Sequence, residues 1–315
     1  MRITVLDKVS LGPDTPVEKF SDLGETSFYD STTPTELAER ITNVDVIITN
    51  KVKITAEAMA AAKKLKLICV FATGYDNIDI IAAKERGIAV CNVPGYSTNS
   101  VTLFTISTAL ALFSHLFEYR EFVNSGEYTL SAAPNRLIPV YHELAGKTWG
   151  IVGLGNIGMA VAKVASAFGA RVLVNTRTPK EGYECVDIDT LCRESDIISL
   201  HCPLTEATKA LINEKRLDLM KKDAILVNEA RGAVVDEVAV AKAILNKKIG
   251  GFGCDVYSVE PFSAEHPYND IKDLPNVILT PHAAWGAYES RVRCVETIIK
   301  NIRCFYNGEK NNRVV

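Results

Sequence analysis

Residues 148–158, TWGIVGLGNIG, constrain the fold more than any other part of the chain. An apolar run of strand character leads straight into Gly153, Gly155 and Gly158, spaced G-x-G-x-x-G. Glycines alone are common, but here the next residues, 156–168, place Ile157, Val161, Val164, Ala165 and Phe168 on one helical face, and RVLVN then reads as another strand. A strand–turn–helix–strand unit with this spacing makes a tight turn, lets the backbone approach a pyrophosphate, and turns the free N–H groups of a helix N-terminus toward phosphates. Gly153, Gly155, Asn156, Ile157 and Gly158 are therefore expected to bind a dinucleotide.

The same alternation runs along the chain. In the first hundred residues ITVLD, VDVIITN, LKLICVFAT and IAVCNV read as strands. TPTELAERI, TAEAMAAAKKL and DIIAAKERG read as helices, the first opened by a Thr-Pro pair and the last stopped by Gly87. The turn-rich PGYSTNS at 94–100 breaks the series. A second series has strands in TWGIV, RVLVN, DIISLH, DAILVN, GFGCDV and NVILT, a patterned helix at 236–248, and a closing helix at about 287–306. Strands alternating with helices predict an α/β fold with two doubly wound parallel sheets, and 315 residues suit two domains. Residues 101–117 lack any charge other than a histidine. They are fewer than the roughly 20 a membrane span needs, and are expected to form a helix buried between domains or subunits. Residues 125–143, with Gly126, Pro134 and Pro139, read as an irregular connection.

Thirty-five basic against 38 acidic side chains leave a net charge of −3, which gives no electrostatic reason to expect nucleic acid or an anionic membrane as partner. Eight cysteines form no CxxC pair and no zinc-type cluster, so reduced, buried thiols and no metal are expected. Together with an N-terminus, MRITVLDKVS, that lacks signal-peptide character, this predicts a cytoplasmic protein.

The strand after the glycine helix ends at Asn175-Thr176-Arg177-Thr178. NAD-binding folds commonly carry an acid there for the ribose 2′-hydroxyl, whereas Arg177 can pair with a 2′-phosphate and Thr176 can donate to it. NADP is favoured over NAD as cofactor, with Thr176 and Arg177 as contacts.

Ligands of open α/β sheets bind beyond the carboxyl ends of the strands. In the second series those ends carry His201-Cys202-Pro203, Glu229-Ala230-Arg231, Asp255 followed by Glu260, and Pro281-His282. A guanidinium, a carboxylate and an imidazole are what reduction of a 2-keto acid requires. Arg231 can hold the substrate carboxylate or carbonyl, His282 can supply the proton that the developing alkoxide takes up, and Glu260 can orient His282. His201 is expected only to line the cofactor crevice.

Over nearly its full length the chain resembles the D-isomer-specific 2-hydroxyacid dehydrogenases. The motifs that carry the resemblance are TGYDNID at 73–79, GKTWGIVGLGNIG at 146–158, HCPLTEATKALIN at 201–213, LVNEARGAVVDE at 226–237, GCDVYSVEP at 253–261 and TPHAAW at 280–285. The resemblance places the family's catalytic Arg, Glu and His on Arg231, Glu260 and His282. Asp255 falls near the nicotinamide, Thr105 near the cofactor, and Thr73, Gly74 and Tyr75 in a loop that cradles substrate. Cys202, Pro203, Thr208, Glu229 and Ala230 are assigned to the cofactor on the same basis. It further implies a Rossmann cofactor domain at 100–286 inserted into a flavodoxin-like substrate domain formed by 1–99 and 287–315, and a homodimer with the 101–117 helix at its interface. NVPGYSTNSV at 92–101 and PHAAWGAYESR at 281–291, with Trp285 as a substrate contact, are similar to the glycerate dehydrogenase or hydroxypyruvate reductase branch, for which glyoxylate is a second substrate. Phosphoglycerate and lactate enzymes of the same family, and a dinucleotide-sensing corepressor on the same scaffold, are the alternatives. Two departures from the family pattern stand out, Leu103 in place of Glu or Gln and Thr176 in place of the usual Asp.

Overall fold

The computed structural model describes all 315 residues, which form two compact units. The first comprises residues 1–97 and 286–315, and the second residues 98–285.

The first unit is built on β1 (Arg2–Val5), β2 (Glu25–Phe28), β3 (Val46–Thr49), β4 (Leu67–Val70) and β5 (Ala89–Cys91). All pair in parallel, in the order β2-β1-β3-β4-β5, the order of flavodoxin-like sheets. β3 and β4 are buried along their whole length, which is why VIIT and LICV read as continuous apolar runs. β2 is absent from the sequence reading. It is an edge strand, ETSF, whose residues are at most half-buried, so it lacks the apolar signal of its neighbours. The helices begin where side-chain caps allow. Thr33 and Glu36 form a capping box on Pro34–Ile41, and Thr55 and Asp79 accept backbone N–H groups at Ala56–Ala61 and Ile80–Glu85. After the closing helix Tyr288–Tyr306, the chain end bridges antiparallel to β5, with Val314 N–H donating to Val90 O.

The second unit holds β6 (Thr148–Val152), β7 (Arg171–Asn175), β8 (Glu184–Cys185), β9 (Ile197–Leu200), β10 (Ile225–Asn228), β11 (Gly251–Cys254) and β12 (Val277–Leu279). They form one parallel sheet in the order β12-β11-β10-β9-β6-β7-β8. The order reverses between β6 and β9, so the crevice of a doubly wound sheet opens there, above the carboxyl ends of those two strands. Helix Asn156–Ala167 packs on β6 and β7, and helix Thr98–Phe113 packs on Asn156–Ala167 and on β10 and β11.

Two expectations are corrected. The helix expected over 101–117 stops at Phe113. His115 takes a left-handed φ of 53°, and a second helix, Leu116–Asn124, leaves at 64° to the first. No single helix is long and apolar enough to cross a membrane. All eight cysteines are free thiols, but Cys185 is exposed and Cys304 half-buried rather than buried.

Candidate active site

The glycine turn takes the shape its spacing predicts. Gly153 has a φ of 96°, and a Cβ there would lie 2.8 Å from the backbone of His201 and Cys202 at the end of β9. A Cβ on Gly158 would lie 2.1 Å from Gly153 O, so helix and turn touch backbone to backbone. Gly155 differs from both, because nothing stands within 4 Å of where its Cβ would be. It is the N-cap of helix Asn156–Ala167, with no capping side chain and no acid in the first turn. The free N–H groups of Asn156, Ile157 and their neighbours therefore front open space, a cradle that fits the pyrophosphate of a dinucleotide.

Along the same edge, Thr176 is half-buried, and Arg177 is exposed with no acid paired to it. Lys180 was not anticipated from the sequence. Its Nζ donates to Leu154 O at 3.0 Å and so lays a second cation across the glycine turn. Its position three residues after Arg177 was the available signal. Cys202 is buried beside Gly153, and burial pushes its thiol up to about 11, so it stays protonated. Pro203 is exposed, and its carbonyl accepts the Thr208 hydroxyl at 2.6 Å, which folds the 203–208 loop on itself.

His201 has its Nε2 3.0 Å from Ser199 Oγ, which also accepts the Trp149 indole N–H at 3.0 Å. The indole can only donate, so Ser199 Oγ accepts from it and shares its remaining hydrogen-bonding capacity with His201 Nε2. Burial drives the His201 pKa down to about 3, which leaves a neutral ring and removes it as an acid at neutral pH.

At the ends of β10 and β11 two carboxyl groups lie close together. Glu229 Oε2 accepts the Thr105 hydroxyl at 3.0 Å. Burial, helped by the like charge of Asp255, lifts the Glu229 pKa to about 8, so the group is an uncharged acid at neutral pH. Thr105 is fully buried, and its single hydroxyl proton is shared between Glu229 Oε2 and Val101 O, the latter at 2.9 Å. Asp255 is 2% exposed, and burial raises its pKa as well. Its Oδ1 accepts the Thr280 hydroxyl at 2.6 Å and Ala283 N–H at 2.8 Å, and its Oδ2 accepts Ala284 N–H at 2.9 Å. Both oxygens thus brace the loop that carries His282.

That loop is strained where the chemistry is expected. His282 has a φ of 54°, a left-handed conformation costing a non-glycine residue of order 1–3 kcal/mol, and Asp255 holds it there. His282 Nδ1 faces Glu260 Oε2 at 2.7 Å, with about a quarter of each side chain exposed. A carboxylate accepts only, so Nδ1 carries the proton shared with Glu260, and Nε2 is the ring's second titrating nitrogen. Glu260 Oε1 accepts Tyr257 N–H at 3.1 Å.

Arg231 follows β10 and is half-buried, its Nη1 donating to Ala230 O at 2.8 Å. Buried Asn228, another residue the sequence reading passed over, shapes this turn by donating to Arg231 O and accepting Ala230 N–H. A Cβ on Gly232 would lie 2.0 Å from the Tyr257 carbonyl carbon, so the Arg231 turn lies directly against the Glu260 loop. The strand ends therefore bring Arg231, Asp255, Glu260 and His282 to one edge of the second sheet. Trp285, half-buried, closes the same unit. Thr73, Gly74 and Tyr75 belong to the first unit, in the loop beyond β4, where the Thr73 hydroxyl donates to Val93 O at 2.8 Å.

Comparison with known proteins gives the family of the chain. The sequence model of a family described as D-isomer specific 2-hydroxyacid dehydrogenase, NAD binding domain, matches residues 106–284. A glycerate dehydrogenase of Methylorubrum extorquens is 37% identical over 99% of this chain and 98% of its own. A glyoxylate reductase of Thermococcus litoralis is 42% identical over 87% of this chain and 84% of its own. An acyclic imino acid reductase solved with NADPH and D-arginine superposes with a TM-score of 0.87 at 31% identity, covering 100% of both chains.

Proposed function

Because the chain belongs to the D-isomer-specific 2-hydroxyacid dehydrogenase family, we propose that it reduces a small 2-keto acid, hydroxypyruvate or glyoxylate, to D-glycerate or glycolate, with NADP favoured as cofactor. The observation that carries this reading is the His282–Glu260 pair at 2.7 Å, on a loop braced by Asp255 at the carboxyl ends of a doubly wound sheet. The bound nicotinamide supplies the hydride. Arg231 holds the substrate carboxylate through its planar fork, which orients the adjacent carbonyl. His282 gives its Nε2 proton to the carbonyl oxygen as the alcohol forms, and Glu260 stabilises the ring while it carries both protons. In the reverse direction the same nitrogen accepts the proton.

Support for NADP comes from the missing acid at 175–178 and from two cations, exposed Arg177 and Lys180, on the rim of the glycine turn. A homodimer is proposed from the apolar side chains displayed after helix Thr98–Phe113, among them Leu130 at 88% and Leu137 and Ile138 at 70% exposure. Sedimentation at twice 34.4 kDa supports it, and a monomer refutes it.

The test of function is a panel of hydroxypyruvate, glyoxylate, pyruvate and phosphohydroxypyruvate, each with NADH and NADPH, run on the parent and on Arg177→Ala. The first two substrates are expected to turn over fastest, and the variant to lose affinity for NADPH much more than for NADH. Preference for phosphohydroxypyruvate or pyruvate overturns the substrate assignment. Equal losses for the two cofactors overturn the 2′-phosphate contact.

A further inference from the structure

A second Glu–His pair lies behind the first. Glu237 and His266 are 12% and 9% exposed, and His266 Nε2 stands 3.2 Å from Glu237 Oε2 without the alignment of a full hydrogen bond. His266 Nδ1 accepts Tyr268 N–H at 3.2 Å, which puts the ring proton on Nε2, facing the carboxylate. The ring is wedged among aromatic neighbours, with centroids 4.8 Å from Phe262, 4.8 Å from Tyr268 and 6.1 Å from Tyr257. Glu237 opens helix Glu237–Leu245, where the helix dipole favours a negative charge.

The two pairs meet at one short backbone segment. Glu237 Oε1 accepts Ser258 N–H at 2.9 Å, and the preceding N–H, that of Tyr257, is the one Glu260 Oε1 accepts at 3.1 Å. Gly232 presses on the same peptide, leaving no room for a Cβ. The Tyr257 side chain crosses to the neighbouring loop and donates to Thr280 O at 2.8 Å, two residues before His282. Consecutive N–H groups at 257 and 258 are thus each bound by a carboxylate, one buried and one facing the imidazole.

We propose that Glu237 and His266 are positioning residues: by holding the Ser258 N–H they fix the Tyr257–Ser258 peptide, and with it the adjoining Tyr257 N–H that holds the Glu260 carboxylate against His282. This rests on the reading of Glu260 and His282 as the proton-delivering pair. Neither Glu237 nor His266 touches substrate. Their contribution passes through Glu260 and vanishes when Glu260 no longer carries a charge to be aimed.

A double-mutant cycle tests this on the full chain, with hydroxypyruvate and NADPH as probes. Glu237→Ala is expected to lower kcat about tenfold in the parent and less than about twofold in a Glu260→Gln background, a coupling within the range for residues sharing one network. The dissociation constant for NADPH, read from its fluorescence, stays unchanged in both. His266→Phe keeps a ring in the aromatic cluster but removes the Nε2 proton. It is expected to show the same dependence on Glu260, and it serves if Glu237→Ala does not fold. Equal losses in the two backgrounds, or no loss in the parent, overturn the positioning role while the Glu260–His282 reading stands. If Glu260→Gln alone leaves kcat unchanged, that reading fails and the proposal fails with it.

Discussion

Glu229 and Asp255 occupy adjacent strand ends, and burial acts on both in the same direction. Only Asp255 is compensated by three donors, so it is suited to hold charge, while Glu229, with a threonine hydroxyl at 3.0 Å, is suited to stay protonated. The sign of the stability effect follows. Between the ordinary 4.5 and about 8, the folded chain keeps a proton on Glu229 that the unfolded chain has lost, so this residue costs stability increasingly as pH rises through that window. Glu229→Gln removes the cost. In thermal denaturation of the cofactor-free protein, the variant should gain on the parent at pH 9 relative to pH 5, and a difference independent of pH means that Glu229 is not held neutral. This protonation was not legible in the sequence, where Glu229 was a strand-end residue assigned to the cofactor; a carboxyl group reveals its burial only once helix Thr98–Phe113 packs over it. His282 and Glu260 were legible because strand ends and residue chemistry sufficed, but the left-handed backbone at 282 was not, since no glycine marks it.

At the scale of elements, the glycine turn separates structure from ligand binding. Gly158→Ala forces a Cβ to 2.1 Å from Gly153 O and is expected to cost about 1–3 kcal/mol, read as a fall in Tm. Gly155→Ala meets nothing within 4 Å, so Tm should hold while dinucleotide affinity, measured by titration of NADPH fluorescence, falls several-fold. A Gly155→Ala protein that binds NADPH as the parent does would mean that the open space over this turn is not where the phosphates lie. Elements with strong patterning were legible to within a residue or two. TWGIV and RVLVN are β6 and β7, and the helix expected over 156–168 is Asn156–Ala167. β2, β8 and the bend at His115 were not, because exposed edge strands bury too little to need a pattern and one residue can turn a helix without changing its composition.

For the whole molecule, two parallel sheets follow from the strand–helix alternation, but the insertion of one unit into the other does not. A chain order in which residues 286–315 rejoin residues 1–97 leaves no mark in composition or periodicity, and it was the family motifs that implied it. Its consequence is chemical. Every residue proposed to hold the substrate carboxylate, brace the catalytic loop or deliver the proton, Arg231, Asp255, Glu260 and His282, comes from the inserted unit and from three neighbouring strand ends of one sheet. The most direct measurement is therefore kcat for His282→Ala with hydroxypyruvate, alongside its dissociation constant for NADPH. A fall of about 10²–10⁴ in kcat with cofactor binding intact is predicted. Turnover within a few-fold of the parent would contradict the assignment of His282 as the proton donor.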